Sequence, residues 1–183
     1  MLFREQSALY IHVRKTAGTS VGRALGLADD DPDVGVGNDG VLDDSFWQAK
    51  RDVDPYVFAC VRNPYDRVLS SWKYCASTRR RSLIDCLRNP PRDGHDYRHF
   101  TRAQSAILLT PDGVLVSDFL MRFESLQGDF DAVCRRIGLP ARPLPRLNRT
   151  RRRRHYRHYF DAESRRLATE LFAVDIERFG YVF

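Results

Sequence analysis

Two stretches of the chain repeat one order: an apolar run, a polar turn, then an amphipathic segment. Ala8-Leu9-Tyr10-Ile11-His12-Val13 is apolar and rich in β-forming residues, and it gives way at once to a polar, glycine-containing turn and a helical pattern over 20–27. Tyr56-Val57-Phe58-Ala59-Cys60-Val61 is an uninterrupted apolar run of the kind buried in a parallel sheet. Asn63-Pro64 follows it as a helix cap and first-turn proline. Tyr65, Val68, Leu69 and Trp72 then recur at i, i+3, i+4 and i+7, which predicts a helix over 64–76 with Ser70 off its core stripe.

The remaining segments are read the same way. Residues 28–40 are crowded with Asp, Gly and Pro and are expected to form a surface loop before a short helix over 44–51. Residues 79–96 are polar and proline-broken, and are expected to serve as a mobile lid or acceptor loop. A helix is expected over 97–109, one or two short strands over 114–122, and an amphipathic helix over 125–137 closed by Gly138. Residues 140–154 are irregular and basic; a final helix over 162–179 carries Leu167, Leu171, Phe172 and Ile176 on one side. Strands alternating with helices predict an α/β fold: a single domain over 1–183, a three-layer sandwich with a mainly parallel central sheet, a P-loop-like anion loop, and ligands at the carboxyl ends of the strands.

Composition narrows the partners. At 183 residues, with 43% hydrophobic and 30% charged positions, the chain suits one compact domain with a real core. The formal charge of +6 points to an anionic partner without choosing among nucleotide, acidic polymer, nucleic acid and membrane surface. There are 27 Arg against three Lys, so a Lys inside a motif carries weight; the arginine excess fits a coding bias as well as it fits anion binding. Cys60, Cys75, Cys86 and Cys134 show no CxxC pair or zinc-like spacing and read as reduced core thiols, and no metal site is expected. No stretch approaches the roughly 20 apolar residues of a membrane span, no signal peptide is evident, and a cytoplasmic location is expected.

The chemistry gathers at the two strand-to-helix turns. In the first, His12-Val13-Arg14-Lys15-Thr16-Ala17-Gly18-Thr19-Ser20, a glycine allows backbone N–H groups to curl toward one anion, while Lys15, Thr16, Thr19 and Ser20 add donors. This is a phosphate or sulfate cradle, but it is not GxxxxGK[ST], because Lys15 precedes Gly18; a nucleoside triphosphatase is thereby disfavoured. The plainer alternative is that Thr16, Thr19 and Ser20 cap the helix. In the second turn, Arg62 leaves a strand end and Ser70 stands two turns into the following helix, a pairing suited to a terminal phosphate monoester. Arg62 alone could equally be an ion-pair arginine, and Asp66 and Arg67 are given no ligand.

These two segments resemble the 5′-phosphosulfate loop and the 3′-phosphate site of sulfotransferases that use 3′-phosphoadenosine 5′-phosphosulfate (PAPS), in particular the carbohydrate and heparan sulfate branch and its small bacterial relatives. Those proteins typically show H-x-P-K-T-x-G-T-[ST] and then R-[ND]-P-x-x-R-x-x-S; here the second reads Arg62-Asn63-Pro64-Tyr65-Asp66-Arg67-Val68-Leu69-Ser70. Arg122-Phe123-Glu124-Ser125-Leu126, Leu147-Asn148-Arg149-Thr150, residues 156–160 and Phe179-Gly180-Tyr181 extend the resemblance over nearly the whole chain. It implies sulfuryl transfer from PAPS to a hydroxyl or amine of a small-molecule or carbohydrate acceptor, with release of adenosine 3′,5′-bisphosphate (PAP) and no metal. Arg14, Lys15, Thr16, Ala17, Gly18, Thr19 and Ser20 would hold the phosphosulfate, Arg62 and Ser70 the 3′-phosphate, and Arg149, in a late basic loop continuing through Arg154, would close over the nucleotide.

Two departures stand out. Arg14 replaces the usual proline, and Gly37-Asn38-Asp39-Gly40 stands where relatives commonly carry a histidine shortly after a glycine. The base that removes the acceptor proton is therefore assigned to His99, which resembles the histidine of an H-x-x-x-x-Q element ending at Gln104, with Asp39 as the acidic alternative. His12 is expected to orient the loop, and His95, His155 and His158 to be exposed. The competing readings are a PAP- or polyanion-binding module without catalysis, and a nucleic-acid binder. The latter rests only on pI and the arginine run 151–154, with no recognition motif, so no nucleic-acid partner is expected.

Overall fold

The computed structural model describes residues 2–3, 7–26, 44–147 and 154–183. In chain order the elements are β1 (Leu2–Phe3), β2 (Ala8–Ile11), α1 (Gly18–Ala24), α2 (Asp44–Asp52), β3 (Tyr56–Val61), α3 (Pro64–Tyr74), α4 (Leu83–Arg88) and α5 (Gly94–Asp96). A π-helical turn (Tyr97–Thr101), α6 (Ser105–Leu108), β4 (Phe119–Arg122), α7 (Leu126–Arg136), a 3₁₀ turn (Tyr156–Tyr159), α8 (Ala162–Leu171) and α9 (Ala173–Arg178) complete them. The chain divides into two compact units: Met1–Val61 with Ala106–Asn148, and Arg62–Ser105 with Arg149–Phe183.

The first unit holds the sheet, in the order β1-β2-β3-β4. β2, β3 and β4 are parallel, with Tyr10 opposite Phe58 and Phe58 opposite Phe119, while β1 runs antiparallel to β2. Ala8, Tyr10, Phe58, Cys60 and Met121 point to one face and pack against Val21 of α1 and Phe130, Val133 and Cys134 of α7. The alternate set, Leu9, Ile11, Val57, Ala59 and Val61, is buried as well. Burial on both faces explains why β2 and β3 read as continuous apolar runs rather than as alternating ones. α7 ends before Gly138, whose φ of 72° makes the left-handed turn expected of a closing glycine.

The second unit is helical. Tyr65, Val68 and Leu69 of α3 pack with Leu83, Cys86 and Leu87 of α4, Phe100, and Ala168 and Phe172 near the chain end. The expected lid is corrected here. Residues 83–88 form a packed helix, because Ser82 caps Asp85 and Leu83, Cys86 and Leu87 bury one side at i, i+3 and i+4. The expected helix over 97–109 is interrupted, since Arg102 turns extended (ψ 124°) between the π turn and α6. The final helix is likewise two helices, broken at Phe172 (φ −118°, ψ 25°). All four cysteines are buried thiols outside any disulfide. Among the described residues no helix is long and apolar enough to cross a membrane.

Candidate functional site

The first turn is built by backbone strain. Lys15 and Ala17 both take left-handed conformations, at φ 68° and 70°, while Thr16 between them does not. Alternation of this kind curls successive peptide N–H groups toward one point and forms an anion-binding nest. For residues with a side chain it costs about 1–2 kcal/mol each, and such strain concentrates at functional loops. The N–H groups of Ser20 and Val21 close onto the Ala17 carbonyl. The fully buried Thr16 hydroxyl donates to the Val13 carbonyl at 2.8 Å, so its side chain shapes the turn.

Gly18 is required by a neighbour. A Cβ at this position would run into the imidazole of His12, which stacks on Tyr10 at 6.2 Å between ring centroids. His12 thus orients the loop by packing. Arg14 and Lys15 are half-buried. Ser20 is buried, and its Oγ accepts a long 3.5 Å hydrogen bond from the Leu147 N–H, which brings the start of the basic segment to the loop.

At the second turn Asn63 caps α3, accepting from the Tyr65 N–H at 3.1 Å, and its amide donates to the Val182 carbonyl at 2.9 Å. Arg62 is buried; its Nε and Nη2 both donate to one oxygen of Asp66, at 2.9 and 2.7 Å. Asp66 and the buried Ser70 are one turn apart on the same face of α3, so the guanidinium is drawn along the face that carries Ser70. Arg67 has a different position. It is fully buried, donates to the Arg102 carbonyl at 2.7 Å and lies 5.9 Å from the Phe172 ring centre. Burial pulls its pKa down to about 10, against the opposing pull of Asp175 and with the help of the nearby Arg62 charge.

Behind Arg62 is a polar node that sequence reasoning missed. The Gln104 carboxamide accepts from the Arg62 N–H and donates to the Arg62 carbonyl, each at 2.9 Å. Asp175, fully buried in α9, accepts from the N–H groups of Gln104 and Ser105 at 2.8 and 2.7 Å. One signal was available: Asp175 interrupts the stripe Leu171, Phe172, Ile176 and Phe179, which places a carboxylate at a core position.

His99 is buried in the π turn. Its Nδ1 is 2.9 Å from the His95 carbonyl, and its ring lies against those of His95 (4.1 Å) and Tyr74 (5.0 Å). Tyr74 is the last residue of α3, whereas Arg62 precedes its start, and eleven helical residues span about 16 Å. His99 and Arg62 are therefore associated with opposite ends of that helix. Beside it, the exposed His95 pairs with Asp96 at 2.9 Å. Asp39, Asn38, Arg149 and Arg151 to Arg153 lie outside the described residues. Among the described residues no three His, Cys, Asp or Glu side chains come together as a metal site would require.

The chain belongs to the sulfotransferase family, whose family model matches residues 1–182. No curated protein and no solved structure gives a significant match. The left-handed residues Lys15 and Ala17 lie in the turn before α1.

Proposed function

We propose that the protein transfers a sulfuryl group from PAPS to a hydroxyl or amine of a small-molecule or carbohydrate acceptor and releases PAP. The observation that carries this reading is the alternating backbone at Lys15 and Ala17, strained conformations that an ordinary helix cap does not require. In this reading the N–H groups of Thr16 to Thr19 bind the 5′-phosphosulfate, and Lys15 neutralises the bridging oxygen as its bond to sulfur breaks. Arg62 and Ser70 bind the 3′-phosphate, and Arg14, Ser20 and Arg149 support the nucleotide. The acceptor oxygen or nitrogen forms the new bond to sulfur, its proton passes to a base, and the electron pair of the broken S–O bond leaves on PAP. For the base, His99 is the first candidate and Asp39 the acidic alternative.

The test is turnover of radiolabelled PAPS over a panel of sugars, phenols and amines, together with thermal stabilisation by PAP, AMP and ATP. Labelled product and a preference for PAP support the assignment. Stabilisation by PAP with no product from any acceptor favours the second reading, a PAP-binding module without turnover.

A further inference from the structure

We propose that Gln104 and Asp175 are positioning residues whose purpose is to hold Arg62 for recognition of the 3′-phosphate. The proposal rests on the reading of Arg62 given above. β3 ends at Val61, whose partner in β4 is Arg122. One residue later the N–H and carbonyl of Arg62 are both taken by the two ends of the Gln104 side chain, at 2.9 Å each. A single carboxamide thus does for Arg62 what another strand would do, and carries the order of the sheet one residue beyond its last pair.

The orientation of that carboxamide is determined by chemistry. A carboxylate only accepts hydrogen bonds, and Asp175 Oδ2 lies 3.4 Å from Gln104 Nε2 as well as 2.8 Å from the Gln104 N–H. The NH₂ end must face Asp175 and the Arg62 carbonyl, which turns the oxygen to the Arg62 N–H. Flipping the amide would set oxygen against carboxylate and N–H against N–H. The second Asp175 oxygen is held by the Ser105 N–H at 2.7 Å, and Arg67 supplies the compensating buried charge.

Arg62 is therefore held twice, through its main chain by Gln104 and through its guanidinium by Asp66. Four ionisable side chains enclosed in one node form a costly arrangement where stability alone is concerned, because apolar residues of similar volume would serve as well or better. Their common product is an arginine whose position is set before a ligand arrives, which is what selective binding of a phosphate monoester requires.

The experiment compares PAP with AMP, which lacks only the 3′-phosphate, by titration calorimetry on the full chain. Gln104→Met keeps the volume and removes both hydrogen bonds to Arg62; Asp175→Asn keeps the shape and releases the amide orientation. Each is expected to lower the PAP-over-AMP preference by about tenfold or more, with AMP affinity changed less than about threefold. A merely structural role would weaken both ligands together or neither, and either result overturns the proposal. If one variant does not fold, the other carries the same comparison. A wild-type protein that fails to prefer PAP over AMP removes the Arg62 reading itself and this proposal with it; a wild-type preference retained in the variants removes only the positioning role.

Discussion

The His12 imidazole occupies the space into which a side chain at Gly18 would project. Gly18 is the first residue of α1, where alanine would ordinarily be the better helix former by about 0.5–1 kcal/mol. Here the sign reverses, because ring and methyl cannot share the volume. Gly18→Ala is expected to reduce turnover by about a hundredfold, the scale of losing preorganised electrostatic contacts. His12→Ala in the same chain should recover part of that loss. Wild-type turnover in the single variant would show that the contact does not constrain the loop.

The left-handed residues separate strain from chemistry. Ala17→Gly relieves about 1–2 kcal/mol of backbone strain against about 0.5–1 kcal/mol of added unfolded-chain entropy, so denaturant unfolding should show a net gain of up to about 1.5 kcal/mol. Lys15→Gly should likewise be more stable than Lys15→Ala, yet both should lose about a hundredfold or more in kcat. If the two Lys15 variants retain turnover, the ammonium has no part in the reaction.

Removing the Arg62 guanidinium has two consequences. Arg62→Ala leaves the mostly buried Asp66 carboxylate without the arginine that now pairs with it, and should destabilise the fold by about 3–5 kcal/mol. Arg62→Lys keeps the charge and loses the planar fork. It should fold, weaken PAP by about tenfold to a hundredfold and leave AMP nearly unchanged. Parallel weakening of both nucleotides would assign Arg62 to the fold alone.

Asp96 predicts the acid limb of stability. Burial opposes its charge, but hydrogen bonds from Ser77, His95 and Cys75 outweigh that effect and hold its pKa well below the ordinary carboxylate range. A carboxyl group depressed on folding stabilises above its unfolded pKa, near 4, and loses that contribution as pH falls toward the folded value. The stability difference between wild type and Asp96→Asn should therefore be complete at pH 6 and shrink below about pH 4. Thermal unfolding across that range measures it; a difference independent of pH would mean that Asp96 acts without its charge.

Where local order dominates, the chain announced its structure. β3 runs from Tyr56 to Val61 and α3 begins at Pro64, because a continuous apolar run, an Asn cap and a first-turn proline act over a few residues. The nest lies at Lys15 to Gly18 for the same reason, as a short turn between a buried strand and a helix. α4 was also locally encoded, by Ser82 and the spacing of Leu83, Cys86 and Leu87, but the surrounding Arg and Pro residues obscured it. The breaks at Arg102 and Phe172 had no such signal, since neither residue is a helix breaker by itself.

By itself the sequence determined the α/β class, the order of the two strand-to-helix turns, and the residue types that could meet an anion. Only the tertiary structure decided what each of those residues does. Arg62 and Arg67 are chemically identical and both buried, yet one is paired with Asp66 and clasped by Gln104, while the other lies over Phe172 as a core cation. The Thr16 hydroxyl closes the turn by donating to the Val13 carbonyl. His99 is buried in the π turn with its ring against those of His95 and Tyr74. Asp175 reaches Gln104 from 71 residues away, a contact that no local pattern could encode. Periodicity and capping are interactions among near neighbours along the chain; hydrogen-bond partners and burial are settled when distant segments pack together.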